Sequence, residues 1–218
     1  MTRANRIWRV SKSAAERAKE ALTQLTTRAN RILQLSTYDL AVAGVFGALA
    51  IVLAFTPLGL IPVPNISGSA TSLHLPAIVA GILAGPIVGA LVGLVLAIAS
   101  WSLYSATFIT LAGGNLLVAL LAAFLPRILI GVLAYYAYRP LRRWPALAAG
   151  VAGVVGTLTN SVGVLGIMYA LGEFPKELLV PILSMNVPIE IALALIITIP
   201  VVIALRSVGT GRIAAARD

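Results

Sequence analysis

Arg127, Asn160, Asn186 and Glu190 are polar or charged side chains set inside long apolar stretches, and they are where chemistry should be sought in this sequence. Ionisable groups at membrane depth are costly, and they mark binding or transport sites by default. Arg127 stands about twelve residues before Arg139, so at 1.5 Å per residue it lies about 18 Å along its helix from that end. Asn160 stands about fifteen residues beyond Pro145, and Glu190 about sixteen before Arg206, which places both at roughly 22 to 24 Å. Asn186 falls one turn from Glu190 on the same face, and Thr157, Thr159 and Ser161 surround Asn160. Three helices thus send polar groups to one layer. Two readings follow: the layer binds a polar ligand, or Arg127 and Glu190 pair with each other and lock three helices in register.

The remaining candidates stand nearer the ends of their helices. Asn115 and the lone histidine, His74, read as boundary residues, and one imidazole has no sequence neighbour to complete a metal or catalytic set. Trp101, Tyr104 and Tyr169 suit an aromatic belt at a membrane interface, although one of them could stack on a ligand. GxxxxGK[ST], HExxH and GxSxG patterns are absent, so no ATP-binding cradle or hydrolytic apparatus is visible. The expectation is a protein that is not an enzyme and uses no metal or other cofactor.

The elements that must position these residues follow from composition. Of 218 residues, 60% are hydrophobic and 11% charged, and the mean hydropathy is +1.00. That is the composition of an integral membrane protein. The net charge of +9 comes from basic residues at the two ends and in one loop, so it carries topology rather than a nucleic-acid footprint. No cysteine is present. Residues 73–100, LHLPAIVAGILAGPIVGALVGLVLAIAS, are too long for one crossing, and Gly85-Pro86 in their middle predicts a turn between two helices. Small residues recur four apart on both, at Ala77, Gly81 and Gly85 and at Gly85, Gly89, Gly93 and Ala97, as close helix packing in lipid requires. The other predicted helices cover residues 37–55, 113–138, 145–171 and 181–205. Uncharged loops are expected at 57–72 and 104–112, a basic turn at Arg139, Arg142 and Arg143, and a short loop at 172–176.

With the hairpin, four crossings separate the basic amino-terminus from the Arg139 turn, and two more return the basic tail to that side. The positive-inside rule then selects an all-α integral membrane protein of six transmembrane helices with both termini cytoplasmic. Three segments are expected: a basic amphipathic cytoplasmic helix in 1–36, the membrane domain in 37–206 and a basic tail in 207–218. The first segment carries eight of the sixteen Lys and Arg residues. It either lies on the anionic inner leaflet or a cytoplasmic subunit, or is a solvated extension that fixes orientation.

The run SLHLPAIVAGILAGPIVGALVG, the FLPRILIGVLA around Arg127, the GTLTNSVGVLG around Asn160 and the NVPIEIALAL around Glu190 together resemble the substrate-binding S components of energy-coupling factor (ECF) vitamin importers. The resemblance covers about residues 39–205 and is greatest to the pantothenate-type members. It implies a vitamin bound near the outer face of a prokaryotic cell membrane, with a partner transmembrane (T) subunit and two ATPases supplying energy. A ligand with one carboxylate, hydroxyls and an amide would suit Arg127, Glu190 and Asn160 in turn, with Asn186, Trp101 and Tyr104 beside them. The same resemblance assigns small residues on the first helix, Ala43, Gly44, Gly47 and Ala48, to contact with the partner subunit. A rival reading is a self-sufficient proton-coupled secondary transporter with Glu190 as the proton carrier; no internal repeat supports it.

Overall fold

The computed structural model describes residues 16, 19, 20, 35–64 and 69–215. The described residues from Asp39 onward belong to one compact unit, and the few described before it fall outside that unit. The basic helix expected in 1–36 lies almost wholly outside the described residues, as do the last three residues of the expected tail.

Helix α1, Thr37–Ala54, ends where Pro57 forces the preceding Thr56 into extended backbone. A short 3-10 turn, Pro57–Gly59, leads into strand β1, Leu60–Pro62, which pairs antiparallel with β2, Ser69–Thr71. The register sets Leu60 opposite Thr71 and Pro62 opposite Ser69. Helix α2, Leu75–Ala84, follows at once, and every residue from Leu75 to Ile82 is buried. Its ten residues span only about 15 Å, half of a hydrocarbon core. The buried Ser72, Leu73 and His74 and the strand pair precede it in the chain.

The turn expected at Gly85-Pro86 is present. Gly85 has φ 94 and ψ 177, and Pro86 opens α3, Pro86–Leu111. A methyl group added at Gly89 would lie 2.8 Å from the Gly81 Cα, whereas eight residues along an unbroken helix are about 12 Å apart. The two helices therefore fold back on each other. Helix α4 is Leu116–Tyr138, continued by a 3-10 turn at Arg139–Leu141; α5 is Pro145–Ala170 and α6 is Lys176–Ala215. Helices α3 to α6 pack in sequence order, and α2 lies against all four.

Two expectations need correction. Residues 104–112 are not a loop: α3 runs on to Leu111, kinked at Tyr104, where φ −126 and ψ 17 leave the helical region. The last helix is longer than 181–205, because Pro181 sits within its second turn instead of starting it, and because the helix passes Arg206. Among the described residues, five helices are long and apolar enough to cross a membrane, and with their exposed Leu, Ile and Val side chains they make this a multi-pass membrane protein.

Candidate ligand-binding site

Pro126 explains the conformation of Arg127. Lacking an N–H, Pro126 cannot bond the carbonyl four residues back. That carbonyl, of Ala122, instead accepts a 2.8 Å hydrogen bond from Nη1 of Arg127. The guanidinium is thereby folded back along α4 toward its amino-terminal end, and its Cζ lies 5.0 Å from the centre of the Phe108 ring, within cation–π range. Phe108 stacks on Trp101 at 6.3 Å between centroids, and Trp101 meets Phe124 at 6.2 Å. Tyr104 packs against the same apolar cluster. Trp101 and Tyr104 thus belong to an aromatic wall behind Arg127, and Phe108 is the ring that Arg127 touches.

Asn186 and Glu190 share one face of α6, and Thr157, Asn160 and Ser161 share one stripe of α5. Between them lies strand β2. Oε1 of Glu190 accepts hydrogen bonds from the Thr71 backbone N–H at 2.8 Å and from the Thr71 hydroxyl at 3.3 Å, and Oε2 accepts from the Ser161 hydroxyl. Nδ2 of Asn160 donates to Oγ1 of Thr71 at 3.5 Å, and Nδ2 of Asn186 donates to the Ser69 carbonyl at 3.0 Å. Glu190 is 2% exposed. A carboxylate so enclosed needs this many donors to offset its lost hydration.

The structure brings Asn160, Asn186 and Glu190 into one hydrogen-bonded layer under the strand pair. Arg127 takes its hydrogen bond elsewhere, on its own helix. Direct pairing as the sole purpose of both residues is not the arrangement observed. Thr159 spends its hydroxyl on the Val155 carbonyl of its own helix, at 2.7 Å, and so leaves the layer. Asn115 caps α4 through Val118 N–H and donates to Glu173 at 3.0 Å, which ties together two loops and places it outside the layer.

Thr71 and Phe108 were not singled out from sequence. Both lie in stretches that read as loops, where helical spacing gives no signal. His74 also departs from the boundary reading: it is wholly buried, with Nε2 2.9 Å from Oγ1 of Thr157. The shortness of α2 carries it inward.

Residues 38–202 match the family described as ECF transporter, substrate-specific component. The pantothenic acid transporter PanT of Lactococcus lactis subsp. cremoris (strain MG1363) is 33% identical over 186 residues, covering 77% of this chain and 93% of its own length. Among solved structures, none matches the chain.

Proposed function

The chain belongs to the family of ECF transporter substrate-specific components, and from that membership we propose that it is the vitamin-binding membrane subunit of an ECF-type importer, with pantothenate or a similar small carboxylate-bearing vitamin as its ligand. The family is a transporter component and not an enzyme. The observation that carries the site is the hydrogen-bonded layer of Asn160, Asn186 and Glu190 around Thr71. The Thr71 amide and hydroxyl donate to Glu190, and the hydroxyl oxygen accepts from Asn160, which are the kinds of contact that a hydroxylated, amide-bearing ligand would offer to the same two side chains. Arg127 keeps further N–H donors beyond the one given to Ala122, and a guanidinium is the group best shaped to hold a carboxylate. Asn186 steadies the strand pair, while Trp101 and Tyr104 support the apolar wall. The likeness to PanT supports the choice of ligand.

In this reading the shorter α2 completes six crossings, both termini are cytoplasmic, and β1 and β2 cover the site from outside a prokaryotic cell membrane. The segments 1–36, 37–206 and 207–218 are then cytoplasmic, membrane-embedded and cytoplasmic. A T subunit and two ATPases supply the energy. The T subunit meets α1 at Gly44 and Ala48, which are exposed, with Ala43 half-buried beside them; Gly47 faces inward against Val95.

Calorimetric binding of pantothenate to the purified full chain tests the site. Arg127→Ala should lower affinity at least tenfold, about 1.4 kcal/mol or more, with the melting temperature nearly kept. If Arg127→Ala instead loses stability, and Arg127→Ala with Glu190→Gln restores both stability and parental affinity, the two charges are structural and the assignment fails.

A further inference from the structure

We propose that His74 is a further ligand-contacting residue, its Nδ1–H donating to an oxygen of the ligand's carboxylate beside Arg127. The proposal rests on the binding site described above and adds a second, uncharged donor to it.

The histidine is wholly buried, as is its partner Thr157. An imidazole closed off from water is held neutral, so one ring nitrogen donates and the other accepts. Nε2 faces the Thr157 hydroxyl at 2.9 Å. Threonines in these helices commonly return their hydroxyl proton to the carbonyl four residues back, as Thr110 does to Ala106 and Thr159 to Val155. Thr157 bonds His74 instead. If Nε2 carried the hydrogen, the buried hydroxyl hydrogen of Thr157 would have no acceptor. The satisfied arrangement has Thr157 donating to Nε2, which puts the ring hydrogen on Nδ1.

Nδ1 is fully buried and has no hydrogen-bond partner in the protein. An unmade bond of this kind costs about 1–3 kcal/mol, and folded proteins seldom leave one without a use. Its place supplies the use. His74 stands only three residues beyond Thr71, the end of β2, and Thr157 lies one turn from Asn160 and Ser161, which join the Glu190 layer. Helix α4 passes close beside this stripe of α5, since a methyl group on Gly163, one turn beyond Asn160, would lie 2.9 Å from the side chain of Pro126, the neighbour of Arg127. A neutral N–H next to a guanidinium suits an oxygen of a carboxylate: it adds a directed bond without adding a second buried cation. Among the described residues, three other buried polar atoms lack partners, on Thr56, Tyr138 and Thr198. They lie in the turn after α1, at the far end of α4, and two turns beyond Glu190 in α6, so none of them shares this position.

Two substitutions separate the ring's two nitrogens. The amide of glutamine can reach the place of Nε2 and keep the Thr157 contact while losing the Nδ1 donor; the shorter amide of asparagine keeps a donor near Nδ1 and loses Thr157. His74→Gln should therefore weaken pantothenate binding about tenfold with little change in melting temperature, whereas His74→Asn should lose stability and only about two- to threefold in affinity. The loss in His74→Gln should shrink when pantothenol, which has an alcohol in place of the carboxylate, is the ligand. Because the chain has one histidine, nitrogen-15 NMR of the labelled full chain in detergent reads this ring alone. The hydrogen should sit on Nδ1 before ligand is added, and the Nδ1 signal should move on saturation. Parental affinity in His74→Gln, an equal loss on both ligands, or the hydrogen on Nε2 would each overturn the proposal. If the parent binds biotin and not pantothenate, the choice of ligand fails while His74 is judged with biotin; if the parent binds neither, the site and the proposal fall together.

Discussion

Two runs of small residues in this chain look alike in sequence and end in opposite surroundings. Gly81 of α2, Gly89 and Gly93 of α3 and Gly131 of α4 press backbone against backbone: a methyl group on Gly93 would collide with the Arg127 carbonyl, and one on Gly131 with Gly89 Cα and the Ala77 carbonyl. On α1, by contrast, Gly44 has no atom within 4 Å of such a methyl group, and Ala48 is exposed. Between α1 and the bundle an apolar groove of about 350 Å3 runs past Phe46, Leu53, Leu75, Val79 and Ile197. In lipid there is little hydrophobic drive to bring helices together, so close packing depends on small residues that let backbones meet. The first run is used up inside the molecule. The second is left open.

The largest expected effect tests the filled run. Gly131→Ala places a methyl group against backbone from both α2 and α3, which cannot turn aside as a side chain can, so we expect a loss of about 3 kcal/mol or more, or no folded protein. The measurement is the melting temperature and the monodisperse yield in detergent. Gly93→Ala shares this fate and also pushes on the backbone of Arg127, so whatever folds should bind ligand less tightly. Full stability in both variants would mean that the helices are not this close.

The open run predicts the reverse. Ala48→Trp adds bulk to an exposed position of α1, so the isolated protein should keep its stability to within about 0.5 kcal/mol. Copurification with the T subunit and vitamin uptake should be abolished. A variant that still copurifies removes α1 as the contact, whereas one that melts early would show that Ala48 packs within the chain.

Sequence spacing alone could place both runs on helix faces but could not tell which would be filled. The period of four fixes a face, not its neighbour, and Gly131 entered the ridge only once α4 was seen lying across Gly81 and Gly89. The polar layer was more legible, because depth along each helix follows from the constant rise, and Asn160, Asn186 and Glu190 do meet. Thr71 and His74 escaped because α2 is only ten residues long. Nothing in an uncharged, proline-rich stretch says that it returns inward as paired strands.

The smallest effect separates space from conformation, using a glycine that sits between the two runs in kind. Gly85 has open space around its missing side chain, as Gly44 has, yet its φ of 94 and ψ of 177 lie where residues with a Cβ are strained. Gly85→Ala should therefore cost only about 1 to 2 kcal/mol, less than Gly131→Ala, and the cost should come from the backbone alone. A d-alanine introduced at the same position by semisynthesis favours positive φ and should recover most of the loss in melting temperature. Gly44→Ala, with the same free space and no positive φ, is the control and should change little. A Gly85→Ala protein as stable as the parent would mean that the turn before Pro86 does not need its observed backbone. A loss as large as that of Gly131→Ala would mean that Gly85 is packed against a neighbour, and the contrast between filled and open positions would have to be redrawn at the turn itself.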